Sequence, residues 1–155
     1  MIIRFSDLSR LRFLHSEKRI VLVGGCYDLL HVGHVAYLEK CRLLGECLVV
    51  SVSSDVRIKK RKGVDRPIIS GHDRVSMLSA LSCVDYALLA PDPVWEGDIP
   101  TVRVIDELQP EVFATSDSRF NDYVSELALK GTEVIYVPDI RITSTTQIIE
   151  RIRYD

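Results

Sequence analysis

The chain reads as an α/β protein, a single Rossmann-like, doubly wound domain with a five-stranded parallel sheet flanked by helices. Three observations predict this. Short apolar runs recur at 20–23, 48–52, 84–89, 112–114 and 134–137, the first of them rich in β-branched residues. Segments of helical periodicity lie between them, the alternation that builds parallel βαβ units. A length of 155 residues, 46% of them hydrophobic, suits one core and one domain.

Residues 1–19 read as a helical extension ahead of a core spanning 20–153. Ser6 and Asp7 can cap a short helix in which Leu8, Leu11 and Leu14 recur at helical spacing, with His15 facing solvent at its end. The first strand, 20–23, runs into Gly24 and Gly25 and then into a helix over 32–44, stopped by Gly45. The second strand, 48–52, ends in Ser53-Ser54-Asp55, where a loop opens. That loop carries the basic run Arg57-Ile58-Lys59-Lys60-Arg61-Lys62, closed by Gly63. A basic run is ordinarily a solvated face. This one leaves the carboxyl edge of a parallel strand, where open α/β sheets place ligands.

Ser70-Gly71-His72-Asp73 opens the next helix, through Arg74, Met77, Leu78 and Leu81, into the third strand. His72 reads as a capping or surface residue. Prolines and a glycine make 90–97 a loop, with Trp95 partly buried in it. A helix over 101–108 stops before Pro110, the fourth strand is 112–114, and a helix over 121–130 ends at Gly131. After the fifth strand, Thr143-Ser144-Thr145-Thr146 starts a last helix with Ile148, Ile149 and Ile152 as its apolar stripe.

Composition narrows the function. A net charge of −2 argues against a dedicated nucleic-acid binder, and no aromatic residue interleaves the 57–66 run, yet a local phosphate site stays open. The cysteines at 26, 41, 47 and 83 form no C-x-x-C pair and no zinc-like spacing, so they read as reduced thiols of a cytoplasmic protein. No apolar run is long enough for a membrane span. Small anions are the expected partners, with no nucleic acid and no membrane.

The chemistry concentrates in Gly24-Gly25-Cys26-Tyr27-Asp28-Leu29-Leu30-His31-Val32-Gly33-His34. Two imidazoles three residues apart at a helix start share a face, and Gly33 between them leaves room for a ligand. The N–H groups and positive dipole end of that helix favour phosphate and disfavour an imidazolium, so His31 and His34 read as neutral N–H donors.

Gly25-Cys26-Tyr27-Asp28 followed by His31-Val32-Gly33-His34 resembles the G-x-F-D-x-x-H-x-G-H signature of the cytidylyltransferase-like nucleotidyltransferases, with Tyr27 in place of Phe. The resemblance covers roughly 20–153. It implies transfer of a nucleotidyl group from a nucleoside triphosphate to a phosphorylated acceptor, Mg²⁺ travelling with the triphosphate rather than on a protein metal site, and a homodimer. His31 and His34 would act on the α-phosphate. Lys62-Gly63 matches a Lys-Gly pair in the choline-phosphate enzymes, whose lysine bridges donor and acceptor, and a mobile loop suits that task. Lys59 and Lys60 are its substitutes.

By the same resemblance Gly25, Cys26, Tyr27 and Gly33 line the nucleotide, and Arg74 reaches the triphosphate, an ordinary salt bridge being its alternative. Ser144, Thr145 and Thr146 match an S-T-T motif that holds β- and γ-phosphates, or plain helix caps. Asp28, Asp55 and Asp117 are acceptor-side candidates, with helix capping the alternative for Asp28. The R-T-E-G-I-S-T motif of CTP enzymes is replaced by Asp139-Ile140-Arg141-Ile142-Thr143-Ser144-Thr145, with Arg141 two residues late. Lys62-Gly63-Val64-Asp65-Arg66-Pro67-Ile68 instead resembles K-G-x-x-R-P-[VI] of the adenylyltransferase half of ADP-heptose synthases, although their K-G-G-D-Y loop is here Ala114-Thr115-Ser116-Asp117-Ser118. ATP and a sugar 1-phosphate are therefore the expected substrates. The alternatives are a CTP enzyme acting on glycerol 3-phosphate, choline phosphate or a related alcohol phosphate, and a catalytically silent nucleotide-binding regulatory module.

Overall fold

The computed structural model describes residues 1–94, 99–138 and 143–154. Its sheet contains β1 (Ile20–Gly25), β2 (Cys47–Val52), β3 (Tyr86–Leu89), β4 (Val112–Thr115) and β5 (Glu133–Tyr136). They lie in the order β3-β2-β1-β4-β5, all parallel, with Val23 opposite Val50 on one side and Ala114 on the other. The chain thus winds outward from β1 in one direction and then restarts beside β1 in the other. That reversal leaves a crevice at the carboxyl ends of β1 and β4, the switch point where such sheets bind ligands.

The helices are α1 (Leu8–Leu14), α2 (Val32–Arg42), α3 (Asp55–Lys62), α4 (Gly71–Ser79), α5 (Pro100–Leu108), α6 (Val124–Leu129) and α7 (Thr145–Tyr154), the last with no buried residue. Alternate residues of each strand serve opposite faces. Val21, Val23, Leu48 and Val50 pack with Tyr37, Leu38 and Cys41 of α2 and Val75 and Leu78 of α4. Ile20, Leu22, Val49 and Phe113 pack with Leu8, Leu11, Val104, Ile105, Leu108 and Leu127 of the other layer. Each such aliphatic side chain, fully buried, contributes roughly 1.5–3 kcal/mol. The sheet is therefore a rigid platform for whatever its carboxyl edge carries.

The extension does more than precede the core. Ile3 N donates to Ala87 O at 3.0 Å and Ala87 N to Met1 O at 2.9 Å, so residues 1–3 cover the free edge of β3. His15, expected to face solvent, is half-buried with Nε2 2.8 Å from the Tyr86 hydroxyl. Leu14 and Ile152, read as members of apolar stripes, are exposed.

The main departure is at 55–62, expected as a loop and found as helix α3. Ser54 caps it, its Oγ accepting from Arg57 N at 3.3 Å. Asp55 stands in the first turn and Lys59, Lys60, Arg61 and Lys62 in the last, the distribution that complements the helix dipole. Gly63, with φ 99°, ends it where a side chain would be strained. Other boundaries moved less. Residues 118–123 form a 3₁₀ turn before α6, and α2 stops at Arg42. Gly45 is required by a close approach, because a Cβ there would lie 2.4 Å from Arg19 O. Trp95 and Arg141 lie outside the described residues.

Candidate active site

The β1–β4 crevice contains a cavity of two lobes. The larger, about 280 Å³, is lined by Arg57, Arg61 and Lys62 of α3, by Ile99 and Thr101, and by Thr115, Ser116, Asp117 and Phe120 after β4. The smaller, about 160 Å³, is lined by Tyr27, Asp28, His34, Tyr37 and Thr145. Gly24, Gly25, Cys26, Lys62 and Ser116 line both. Lys62 is thus the cation common to the two lobes among the described residues. Its place on the last turn of a helix corrects the mobile-loop expectation: the ammonium is carried on an ordered segment and moves through its own four-carbon stem.

His31 is the N-cap residue of α2, extended at φ −139° and ψ 168°, and His34 sits in the first turn. Their rings stack with centroids 3.8 Å apart and planes 19° from parallel. Tyr27 meets His34 edge-on at 5.4 Å. Both histidines are half-buried rather than turned into the core; His34 lines the smaller lobe, whereas His31, expected to act on the same phosphate, stacks on His34 and lines neither lobe. Gly33 is buried in the turn between them. Tyr27 adopts φ 53° and packs so tightly on Gly25 that a Cβ there would fall 2.7 Å from its ring. Burial pushes the Tyr27 phenol far above its ordinary range, so it stays a neutral donor.

Asp28, expected to orient the acceptor, touches the smaller lobe but has its carboxylate committed elsewhere. It accepts from Arg66 Nε at 2.7 Å and from the Ile68 and Ile69 N–H groups at 3.0 Å. Burial alone would raise its pKa; the Ile69 and Ile68 N–H groups and the Arg66 charge outweigh that and hold it below the usual carboxylate value. Asp28 therefore fastens the 66–69 segment to the entrance of α2. Its carbonyl also accepts from Thr145 Oγ1 at 2.6 Å, which brings the start of α7 to the smaller lobe.

Arg74, expected to reach the triphosphate, has a fully buried side chain. Its guanidinium donates to Ile69 O at 3.0 Å, Cys26 O at 2.5 Å and Asp55 Oδ1 at 2.5 Å. Asp55, expected near the acceptor, is that partner and also accepts from Gly71 N; it lines neither lobe. Arg74 and Asp55 together lock the start of α3 to the β1 turn. Ser144 is exposed and caps α7, its Oγ accepting from Gln147 N at 3.2 Å. Thr146 is exposed and outside both lobes, leaving Thr145 as the member of that trio at the cavity. Asp117 is at the larger lobe, its N–H held by Thr115 Oγ1 at 3.0 Å.

Arg57 and Arg61 were not anticipated as site residues. The signal was present: with 55–62 helical, 57, 58, 61 and 62 share one face, and Ile58 is the apolar residue that turns it inward. Among the described residues no group of three His, Cys, Asp or Glu side chains gathers to hold a metal. None of the described helices is long and apolar enough to cross a membrane.

Comparison with known proteins agrees with the fold and the motifs. The family model described as Cytidylyltransferase-like matches residues 22–151. Bifunctional protein HldE of Geotalea uraniireducens (strain Rf4) is 40% identical over 144 residues, covering 88% of this chain and 27% of that protein. HldE of Helicobacter pylori (strain Shi470) is 37% identical over 145 residues, covering 90% and 28%. The chain thus spans under a third of the length of these relatives. A lipopolysaccharide core biosynthesis protein from Thermoplasma volcanium superposes with a TM-score of 0.67 at 26% identity, over 79% of this chain and 98% of that one. Pantothenate synthetase from Thermus thermophilus shares the fold, with a TM-score of 0.64 at 16% identity over 90% and 62%. With its motifs, sheet order and matched span in agreement, the chain belongs to the cytidylyltransferase-like family.

Proposed function

We propose that the chain is a nucleotidyltransferase that moves a nucleotidyl group from a Mg²⁺-bound triphosphate, ATP by preference, to a phosphorylated small acceptor such as a sugar 1-phosphate, releasing pyrophosphate. The observation that carries this is the two-lobed cavity with Lys62 on both lobes and His34 on one. A reaction between two phosphates needs two anion pockets in line and a cation between them. The smaller lobe, beside the starts of α2 and α7, suits the triphosphate, and the larger suits the acceptor. An acceptor phosphate oxygen attacks the α-phosphorus. The bond from that phosphorus to the oxygen bridging the β-phosphate breaks, and its electron pair leaves on pyrophosphate.

No protein group need become covalent. His34, backed by His31, donates to oxygens of the α-phosphate, where charge grows in the transition state. Lys62 offsets the repulsion between the two anions as they close. Imidazole and hydroxyl donors fit phosphate oxygens, whereas Mg²⁺ demands a shell of oxygen ligands; it therefore enters with the triphosphate as part of the substrate. The preference for ATP and a sugar phosphate rests on the Lys62–Ile68 motif and the similarity to HldE. Action in the cytoplasm and a homodimeric state complete the reading.

The test is a pyrophosphate-release matrix of ATP, CTP, GTP and UTP against sugar, polyol and amino-alcohol phosphates. The expected outcome is release with ATP and a sugar phosphate, reduced by about 10²–10³-fold in His34→Ala with the fold intact. Release with CTP alone transfers the reading to the alcohol-phosphate enzymes. Triphosphate binding without release for any acceptor supports a silent module instead.

A further inference from the structure

We propose that Ser116 is a catalytic residue, its hydroxyl donating to the phosphoryl oxygens where the two lobes meet. This deepens the reading above and rests on the two reactants occupying one lobe each. The residues that line both lobes are Gly24, Gly25, Cys26, Lys62 and Ser116. The glycines present no side chain, and a thiol is a weak donor. Lys62 brings charge, so among the described residues Ser116 brings the one strong uncharged O–H donor shared by the two lobes.

Topology explains why the two groups converge. β2 and β4 flank β1 on its two sides. α3, with Lys62 in its last turn, follows β2, and Ser116 directly follows β4. Cation and hydroxyl thus reach the glycine floor at the end of β1 from opposite flanks. Val23 pairs with Ala114, so Gly24-Gly25 and Thr115-Ser116 leave the sheet as neighbours.

Local structure holds the hydroxyl in place. Thr115 is buried; its carbonyl accepts from Val137 N at 2.9 Å and its Oγ1 from Asp117 N at 3.0 Å. Asp117 O in turn accepts from Phe120 N at 3.2 Å. Ser116 therefore sits between two anchored residues, with its own side chain exposed and in no hydrogen bond among the described residues. A serine hydroxyl swings about a single χ1, so little freedom is lost when it meets a phosphate. Lys62 differs, because its long stem can follow the anions. In-line transfer uses both: a charge that tolerates motion, and a donor already placed for the oxygens that gain charge as the new bond forms. Ser116 keeps its proton throughout and forms only a hydrogen bond. The K-G-G-D-Y loop of ADP-heptose synthases has glycine in this place, so the hydroxyl belongs to this chain's own chemistry.

The test compares Ser116→Ala with the parent in pyrophosphate release and in calorimetric binding. Expected are a kcat lower by about 10–100-fold, a KM for ATP within about 2-fold, and a Tm within about 2 °C because the side chain is exposed. The binding probes are ATP and glucose 1-phosphate, which fill one lobe each, and ADP-glucose, whose diphosphate crosses from one lobe to the other. CDP-glycerol is a second crossing probe, used where CTP is the triphosphate. Ser116→Ala should weaken the crossing probe about 5–10-fold and the single-lobe probes less than about 2-fold. Ser116→Gly serves if the alanine variant unfolds.

Where the parent releases pyrophosphate, turnover decides. A variant kcat within about 2-fold of the parent overturns the proposal. So does a fall in ATP affinity that matches the fall in kcat, which makes Ser116 a ground-state ligand of the triphosphate. Where the parent releases none with any pair of substrates, binding decides. A loss confined to the crossing probe then keeps the hydroxyl at the junction and sinks the transfer reaction alone. Equal losses for all probes, no loss for any, or a parent that binds neither crossing probe overturns the proposal.

Discussion

Replacing Asp28 with Asn tests whether that carboxylate is a structural clasp. Asp28 is 1% exposed and meets an ionic partner and two N–H donors: Arg66 at 2.7 Å and Ile68 and Ile69 at 3.0 Å. An amide offers one acceptor oxygen and turns an NH₂ toward at least one of these donors. Breaking a buried ion pair from one side costs about 3–5 kcal/mol. The Arg66 side chain retains 13% exposure and can turn partly to water, which favours the lower end, about 3 kcal/mol. At about 2–4 °C per kcal/mol for a domain of this size, Tm should fall by about 6–12 °C.

The acid dependence follows from the depressed pKa of Asp28. A carboxylate held below its unfolded value contributes fully above that value, about 3.9, and loses its contribution as pH falls through the folded one. Thermal unfolding followed by circular dichroism should therefore show a constant gap between parent and Asp28→Asn from about pH 5 to 8, narrowing only below about pH 4. A drop under about 2 °C at neutral pH would refute the clasp. So would a gap that widens on acidification.

Arg74→Met keeps the buried stem but strips the donors from Cys26 O, Ile69 O and Asp55, so it should cost about 2–4 kcal/mol while ATP affinity of the folded protein changes less than about 3-fold; a large affinity loss at unchanged Tm would make it a phosphate ligand after all. Lys62→Ala should lower turnover by about 10²-fold or more with little effect on the ATP Kd, and a selective Kd effect would remove its bridging role. In urea titrations Gly45→Ala, whose Cβ meets Arg19 O, should cost more than Gly63→Ala, which has open space and only the strain of φ 99°, about 1 kcal/mol; the opposite order would contradict the packing. Burial pushes the Cys41 and Cys47 thiols up to about 11, whereas Cys26 lines the cavity. Iodoacetamide at pH 8 should therefore label Cys26 first, with ATP slowing it, because a thiol at about 11 is ionised only on the order of 0.1% there. Early labelling of Cys47 by mass spectrometry would contradict this.

The strands were legible because each is a short apolar run, β-branched in β1, β2 and β5, and in a parallel sheet covered on both faces such a run has one sensible place. The histidine turn was legible because its residues are contiguous. Helix α3 was not, since seven of its eight residues are charged or exposed and its single inward residue, Ile58, gives no periodicity to count. Its Ser54 cap, acidic start and glycine stop carried the information instead. Partnerships such as Asp28 with Ile68, or Arg74 with Cys26, join segments about 40 residues or more apart through backbone groups that every residue type possesses. Composition says nothing of those, which is why Asp28, Asp55 and Arg74, read as ligand contacts, are found joining parts of the scaffold.

The sparse anchoring of α3 bears on how this site could change over time. With one residue seated and both ends fastened by Ser54, the Asp55–Arg74 pair and Gly63, its exposed cavity-facing residue Arg61 can be exchanged at little thermodynamic penalty. Position 61 is thus open to exchange without disturbing the scaffold, so the chemistry of this rim can drift while Lys62 keeps its place beside both lobes.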